Sequence, residues 1–249
     1  MKTVKLLAVA FFLAFAGISN AQTAEEIVEN YFENTGGLDA WNNINAMVLT
    51  GQAGMGPQEF PYTQYVTSDG KMAIQISLQG QTFTPQAFDG EQMWATNFQT
   101  QKAEAMDAET SANFKIQSKD MIDTFLNYKE KGYTLELQGS ETVEGTDAFK
   151  ILVTKQPVIV DGEEVANTAT FYFDKESFVP IMSEAAVTSG PQKGMMTQTL
   201  YSDYLEAGDI YYPHSLTVKF NGQVGQTIKV DAIEINPEID ENVFLMPKQ

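Results

Sequence analysis

The chain has 249 residues, 33 of them acidic against 15 basic, for a net charge of −18 at pH 7. Every basic residue is lysine, and both arginine and cysteine are absent. That balance excludes recognition of nucleic-acid phosphates, repels anionic lipid headgroups, and leaves stability to packing instead of disulfides.

Lys2 and Lys5 precede an apolar run from Leu6 to Ile18, and Ser19-Asn20-Ala21 offers small residues for cleavage. This predicts a signal peptide over residues 1–21 and a mature chain, 22–249, that forms one domain. Loss of the two lysines takes the net charge from −18 to −20. No cysteine follows the run to carry a lipid, and no later stretch reaches the roughly 20 apolar residues that span a bilayer. The expected product is exported, soluble and monomeric.

Thr23 and Glu26 fit a capping box, and Ile27, Val28, Tyr31 and Phe32 continue it as the apolar stripe of a helix that Gly36-Gly37 would stop. Leu38 to Ile44 reads as a short helical turn packed through Trp41. Strand signals begin at Met47-Val48-Leu49-Thr50-Gly51. Asp69-Gly70, Asp89-Gly90, Asp161-Gly162 and Asn221-Gly222 each mark a tight antiparallel turn.

From Ala103 to Tyr128 alternation is lost, and Met121, Ile122, Phe125 and Leu126 predict a helical stripe with Ser118 as its N-cap. Sheet resumes at Tyr133–Leu137 and Phe149–Val153. A meander then runs from Thr168 to Pro247, in which Leu216, Val218 and Phe220 share one face and Ser215, Thr217 and Lys219 the other. The change of phase between Val230 and Ile233 predicts a bulge, or a strand buried on both sides, near Ala232. The assembled expectation is an α+β fold: a strongly curved antiparallel sheet, an unclosed barrel of about 11 strands, wrapped over an N-terminal helix and a central helical insertion.

Chemistry is sparse. His214, between Pro213 and Ser215, is the one imidazole, and no nucleophile elbow, phosphate loop, dinucleotide glycine pattern or metalloprotease helix motif is present. Asp203, Glu206 and Asp209 lack the spacing of a calcium loop and read as a solvated acidic loop. No catalytic residue, cofactor or metal site is expected. The stronger signal is apolar: Met93, Trp94, Phe98, Phe114, Met121, Ile122, Phe125, Tyr172, Met182, Met196 and Tyr201. Such side chains are core where helices cover the sheet completely and line a cavity where they do not.

Several phrases carry a resemblance. They are Ile27-Val28-Glu29-Asn30-Tyr31-Phe32 leading to Gly36-Gly37 and Trp41, Phe88-Asp89-Gly90 with Trp94, Tyr172-Phe173-Asp174 with Pro180-Ile181, Tyr212-Pro213, and Ile233 to Phe244 with Pro247. Together they resemble the periplasmic lipoprotein-carrier family, LolA/LolB-like, of the Bacteroidetes outer-membrane lipoprotein-sorting type. The resemblance implies periplasmic localisation and a concave cavity that shelters acyl chains of a lipidated protein or another apolar ligand. It does not extend to the arginine with which such carriers hold a helical lid closed. The alternative is a filled-core interaction module serving an envelope protease or transporter as partner.

Overall fold

The computed structural model describes residues 22–188 and 193–248. The expected signal peptide, residues 1–21, lies outside the described residues. In chain order the elements are α1 (Ala24–Asn34), α2 (Leu38–Asn42), β1 (Ala46–Met55), β2 (Gln58–Thr67), β3 (Met72–Leu78), β4 (Gln81–Phe88), β5 (Met93–Asn97), β6 (Lys102–Ala105) and α3 (Ala108–Gln117). There follow β7 (Thr134–Val143), β8 (Thr146–Thr154), β9 (Val158–Val160), β10 (Glu163–Val165), β11 (Thr168–Asp174), β12 (Pro180–Ala186), β13 (Met196–Ala207), β14 (Ile210–Phe220) and β15 (Gln223–Ile235).

α1 starts where the sequence says it should. The Thr23 hydroxyl accepts from the Glu26 N–H (3.1 Å) and the Glu26 carboxylate accepts from the Thr23 N–H (2.9 Å), which satisfies two donors that the helix itself leaves free. Ile27, Val28, Tyr31 and Phe32 are buried, each apolar side chain contributing about 1.5–3 kcal/mol. Gly36 ends the helix at φ +119°, and a Cβ there would stand 2.2 Å from the Asp209 carbonyl oxygen. Only glycine fits that approach. Trp41 on α2 is fully buried and donates its indole N–H to Thr35.

Thirteen strands form one antiparallel sheet in the order β6-β5-β4-β3-β2-β1-β15-β14-β13-β12-β11-β8-β7, and β9 with β10 forms a separate hairpin. The two end strands do not pair, so the sheet is an open, curved barrel wrapped over helices. Fifteen strands among the described residues exceed the 11 expected, because runs such as Lys102-Ala103-Glu104-Ala105 and Glu163-Glu164-Val165 are largely exposed and carry little apolar alternation. Of the two alternatives near Ala232 the structure has the bulge: Thr50 pairs with Ala232 and Gly51 with Val230, leaving Asp231 as the extra residue. Lys229 is thereby pressed onto Gly51, where a Cβ would lie 1.9 Å from its carbonyl oxygen. Bulges bend strands, and the register also shifts between β14 and β15, β3 and β4, β7 and β8, and β11 and β12.

The central helical insertion is shorter than expected. Lys102–Ala105 is strand, α3 ends at Gln117, Ser118–Asp120 is a single 3-10 turn, and residues 121–128 are irregular. Ser118, expected to cap a helix over Met121–Leu126, is instead the C-cap of α3, whose N-cap Asp107 accepts from the Thr110 N–H at 2.7 Å. The apolar stripe from Met121 to Leu126 does not wind into a helix, because the Asp123 carboxylate accepts from the N–H groups of Phe125 (2.7 Å) and Leu126 (2.8 Å). Local side-chain bonds of this kind compete with the helical ladder.

The inner face of the sheet packs on α1, α2 and residues 121–128, with Phe125 at its centre. Its ring lies 4.8 Å from Phe171 and 5.0 Å from Phe173, both edge-on. Two smaller clusters occupy the outer face. One joins Ala73, Ala87 and Trp94 to Phe244, and the other joins Val143, Ala148 and Tyr172 to Ile181 and Met182. Among the described residues no helix is long and apolar enough to cross a membrane.

Candidate functional site

α3 and the β9–β10 hairpin form a flap over the inner face. α3 is tethered to β5 by Ser111, whose hydroxyl accepts from the Met93 N–H (3.2 Å) and the Gln92 side-chain amide (3.0 Å). The hairpin is tethered to α3 in turn. The Asn113 side chain accepts from the Ile159 N–H and donates to the Ile159 carbonyl, and the Glu109 carboxylate accepts from Asp161 and Gly162, both at 3.0 Å. The hairpin edge thus finds in two α3 side chains the partners that a neighbouring strand would supply.

Between this flap and the sheet lies a cavity of about 390 Å³, within the roughly 300–1,000 Å³ range of small-molecule sites. Ile116 and Gln117 of α3, Val158 of β9, Ala169 of β11, Ala185 of β12 and Thr197 of β13 form its walls. The sheet residues among these share the inner face with Phe171, Ser183 and Thr199, two positions along each strand. Where the covered part of that face carries phenylalanine, this part carries alanine and threonine. The result is a recess instead of a filled layer.

Tyr133, Asp120 and Lys155 line the same cavity on its better-shielded side, whereas Ala186 is exposed. Asp120 is held by two lysines, Lys131 at 3.1 Å and Lys155 at 2.6 Å, with all three side chains no more than 16% exposed. Lys131 also donates to the carbonyls of Asp123 (2.7 Å) and Thr124 (3.3 Å), tying down the irregular segment. Burial lowers the Lys131 pKa, and the Asp120 carboxylate opposes that shift. Both ammonium groups stand over the Tyr133 ring, at 5.7 and 5.9 Å.

On the other side of the flap a more open hollow of about 620 Å³ is lined by Met93, Phe114, Val160, Asp161 and Lys193, and shares Gln117 with the first. Deeper in, a chamber of about 160 Å³ is ringed by Tyr31, Tyr201, Tyr204, Tyr212 and Asp123. Tyr31 donates to Asp123 at 3.0 Å, Tyr204 to the Pro180 carbonyl at 2.7 Å, and Tyr201 pairs with the Ser183 hydroxyl at 2.8 Å. Burial pushes the pKa of all four tyrosines up. The His214 ring bonds the Tyr212 carbonyl at 2.8 Å. Among the described residues no three histidine or carboxylate groups are placed to hold a metal.

The eleven residues singled out from the sequence do not share one surface. Met93 and Phe114 border the open hollow, and Ile122, Phe125 and Tyr201 border the tyrosine chamber. Met121 packs half-buried against the main core. Trp94 points the opposite way from Met93, donating its indole N–H to the Phe244 carbonyl (2.8 Å) beneath the C-terminal segment. Tyr172 and Met182 are likewise on the outer face, where the Tyr172 hydroxyl donates to Glu184 at 2.7 Å. Phe98 and Met196 are 59% and 40% exposed, the one in the turn after β5 and the other at the start of β13. Sequence reasoning missed the cavity's own residues, Val158, Ala169 and Ala185 for the walls and Tyr133 and Lys155 at one end. Small side chains inside alternating strands, at Ala169 and Ala185, were the available signal.

No family model matches the sequence, and no curated protein matches it significantly. Solved structures do match. A LolA superfamily protein from Nitrosomonas europaea aligns over 90% of this chain and 97% of its own, with 12% identity and a TM-score of 0.54. A DUF1329 family protein from Desulfovibrio piger aligns over 89% and 96%, with 12% identity and a TM-score of 0.50. The likeness is one of fold: this chain has the open, curved, antiparallel LolA-like architecture.

Proposed function

We propose that this protein is a non-enzymatic periplasmic carrier that shelters an acyl chain, or a comparable apolar group of a lipidated protein, in the cavity between the α3 flap and the inner face of the sheet. The observation that carries the proposal is the change of wall composition along that face, from Phe171 and Phe173 beneath Phe125 to Ala169 and Ala185 beneath the flap. The shared fold and the sequence resemblance to lipoprotein carriers support the same reading. Each methylene moved from water into such a recess contributes about 0.8 kcal/mol, so a modest length of chain suffices for binding. Cargo release would follow from movement of the flap, which is held by the Ser111 and Asn113 hydrogen bonds and by Phe114 packed edge-on against Phe88.

Titration with an N-palmitoylated peptide, followed by calorimetry, tests the proposal. Saturable one-to-one binding is expected, lost when Ala185→Phe fills the recess and retained when exposed Phe98 is changed to Ser. Absence of binding to the wild-type protein contradicts carriage.

A second reading is favoured by Phe125, which is 1% exposed and fills the centre of the inner face. In that case the fold is an interaction module for an envelope protease or transporter. Crosslinking in cells would then recover one stoichiometric protein partner and no lipidated cargo.

A further inference from the structure

We infer that the shielded end of the flap cavity is a carboxylate-binding subsite formed by Lys155, which makes a single-chain amphiphile with a carboxylate head, a fatty acid, a ligand of this protein. The inference rests on the acyl-carrier reading and adds the chemistry of the head.

The Lys131 ammonium has three acceptors, Asp120 and the carbonyls of Asp123 and Thr124. The Lys155 ammonium has one, Asp120 at 2.6 Å, and so keeps two N–H groups for the cavity that it lines. Both Asp120 oxygens are already taken by lysine. Two cations share one anion there, in a chain whose surface is otherwise strongly acidic.

Tyr133 is 4% exposed, and both lysine ammonium groups stand over its ring. Its hydroxyl has no surface open to the cavity and is turned toward the Asp120 carboxylate, so Tyr133 closes this end with its ring and leaves the donors to Lys155. Two Lys155 N–H groups therefore meet at one end of a recess whose walls include Ile116, Val158, Ala169 and Ala185, with Gln117 and Thr197 among them. A carboxylate accepts through two oxygens and forms stronger, charge-assisted bonds to an ammonium, while its chain runs along the alanine wall. An ester or alcohol head of equal length brings no charge to match.

The test measures hexadecanoate and methyl hexadecanoate binding to the purified protein, by displacement of a fluorescent fatty acid. Hexadecanoate is expected to bind about tenfold more tightly than the ester. Lys155→Met should bring hexadecanoate down to the ester's affinity and leave the ester within about twofold. Lys155→Arg keeps the cation and its spare N–H groups, so it should retain most of the preference for hexadecanoate over the ester. Equal binding of acid and ester, unchanged by both substitutions, overturns the subsite and leaves the carrier reading standing. Failure of both ligands to bind overturns the two together.

Discussion

The side-chain amide of Asn113 on α3 takes both backbone groups of Ile159 on β9, accepting from its N–H at 2.8 Å and donating to its carbonyl. One side chain thus does the work of a neighbouring strand, and it makes the flap a unit. Asn113→Ala should leave the Ile159 peptide unpaired at a cost of about 1–3 kcal/mol. Amide exchange at Ile159 is expected to quicken while exchange on β14 changes only with global stability. Equal acceleration of both would mean that the hairpin has no separate anchoring through Asn113.

Asp123 supplies a pH dependence. Burial raises its carboxyl above the ordinary range, against the Lys131 charge, the Leu126 and Phe125 N–H groups and the Tyr31 hydroxyl, which pull it down. The folded chain then binds this proton more tightly than the unfolded chain, whose carboxyl titrates near about 4. As pH rises from there through the raised folded value, the unfolded state loses its proton first, and stability falls. Asp123→Asn keeps an oxygen for the two N–H groups and removes the titration. Urea midpoints from pH 4 to pH 8 should show the variant gaining on wild type as pH rises. A gap that narrows with pH would contradict the assignment.

Phe125 is a core residue before it is anything else. Phe125→Ala should cost about 3–5 kcal/mol, since its ring is enclosed by Tyr31, Phe171 and Phe173. A charged replacement at this position would unfold the protein and so say nothing of ligand binding. A loss below about 1 kcal/mol in chemical denaturation would show that the inner face is not filled there.

The C-terminal segment closes the outer face over the second tryptophan. Trp94 is 2% exposed and bonded to Phe244, and Lys71 is anchored to Glu241 at 2.7 Å. Removing residues 237–249 should expose Trp94 but not Trp41, which is sealed by Thr35 on the inner side. The expected signature is a red-shifted emission with about half of the fluorescence becoming accessible to iodide, in proportion to one indole of two. Unchanged quenching would show that the segment does not cover Trp94.

What the sequence made legible was local. The Thr23–Glu26 box, the Asp-Gly and Asn-Gly turns and the alternation of Leu216, Val218 and Phe220 depend on residues a few positions apart, and each sits where it was expected. Long-range pairings decided the rest. Met93 and Trp94 are adjacent in sequence and similar in kind, yet the pleat sends one inward and the other under Phe244, 150 residues on. The run from Met121 to Leu126 has helical spacing, but Asp123 in its middle bonds two of its own backbone N–H groups and turns it into a loop. The cavity was harder to read: its one local signal is the pair of small side chains Ala169 and Ala185, which meet only through strand pairing, and its polar end joins Asp120 to Lys155 across 35 positions.

The most direct test of carriage is native mass spectrometry of the protein recovered from its own cell envelope, with extraction and analysis of any bound lipid, for wild type and for Ala185→Phe. An acyl-bearing adduct is expected on the wild-type protein and absent from the variant at equal folded yield. An adduct of equal abundance on both proteins, or none on wild type together with no uptake of palmitoylated peptide, would contradict carriage.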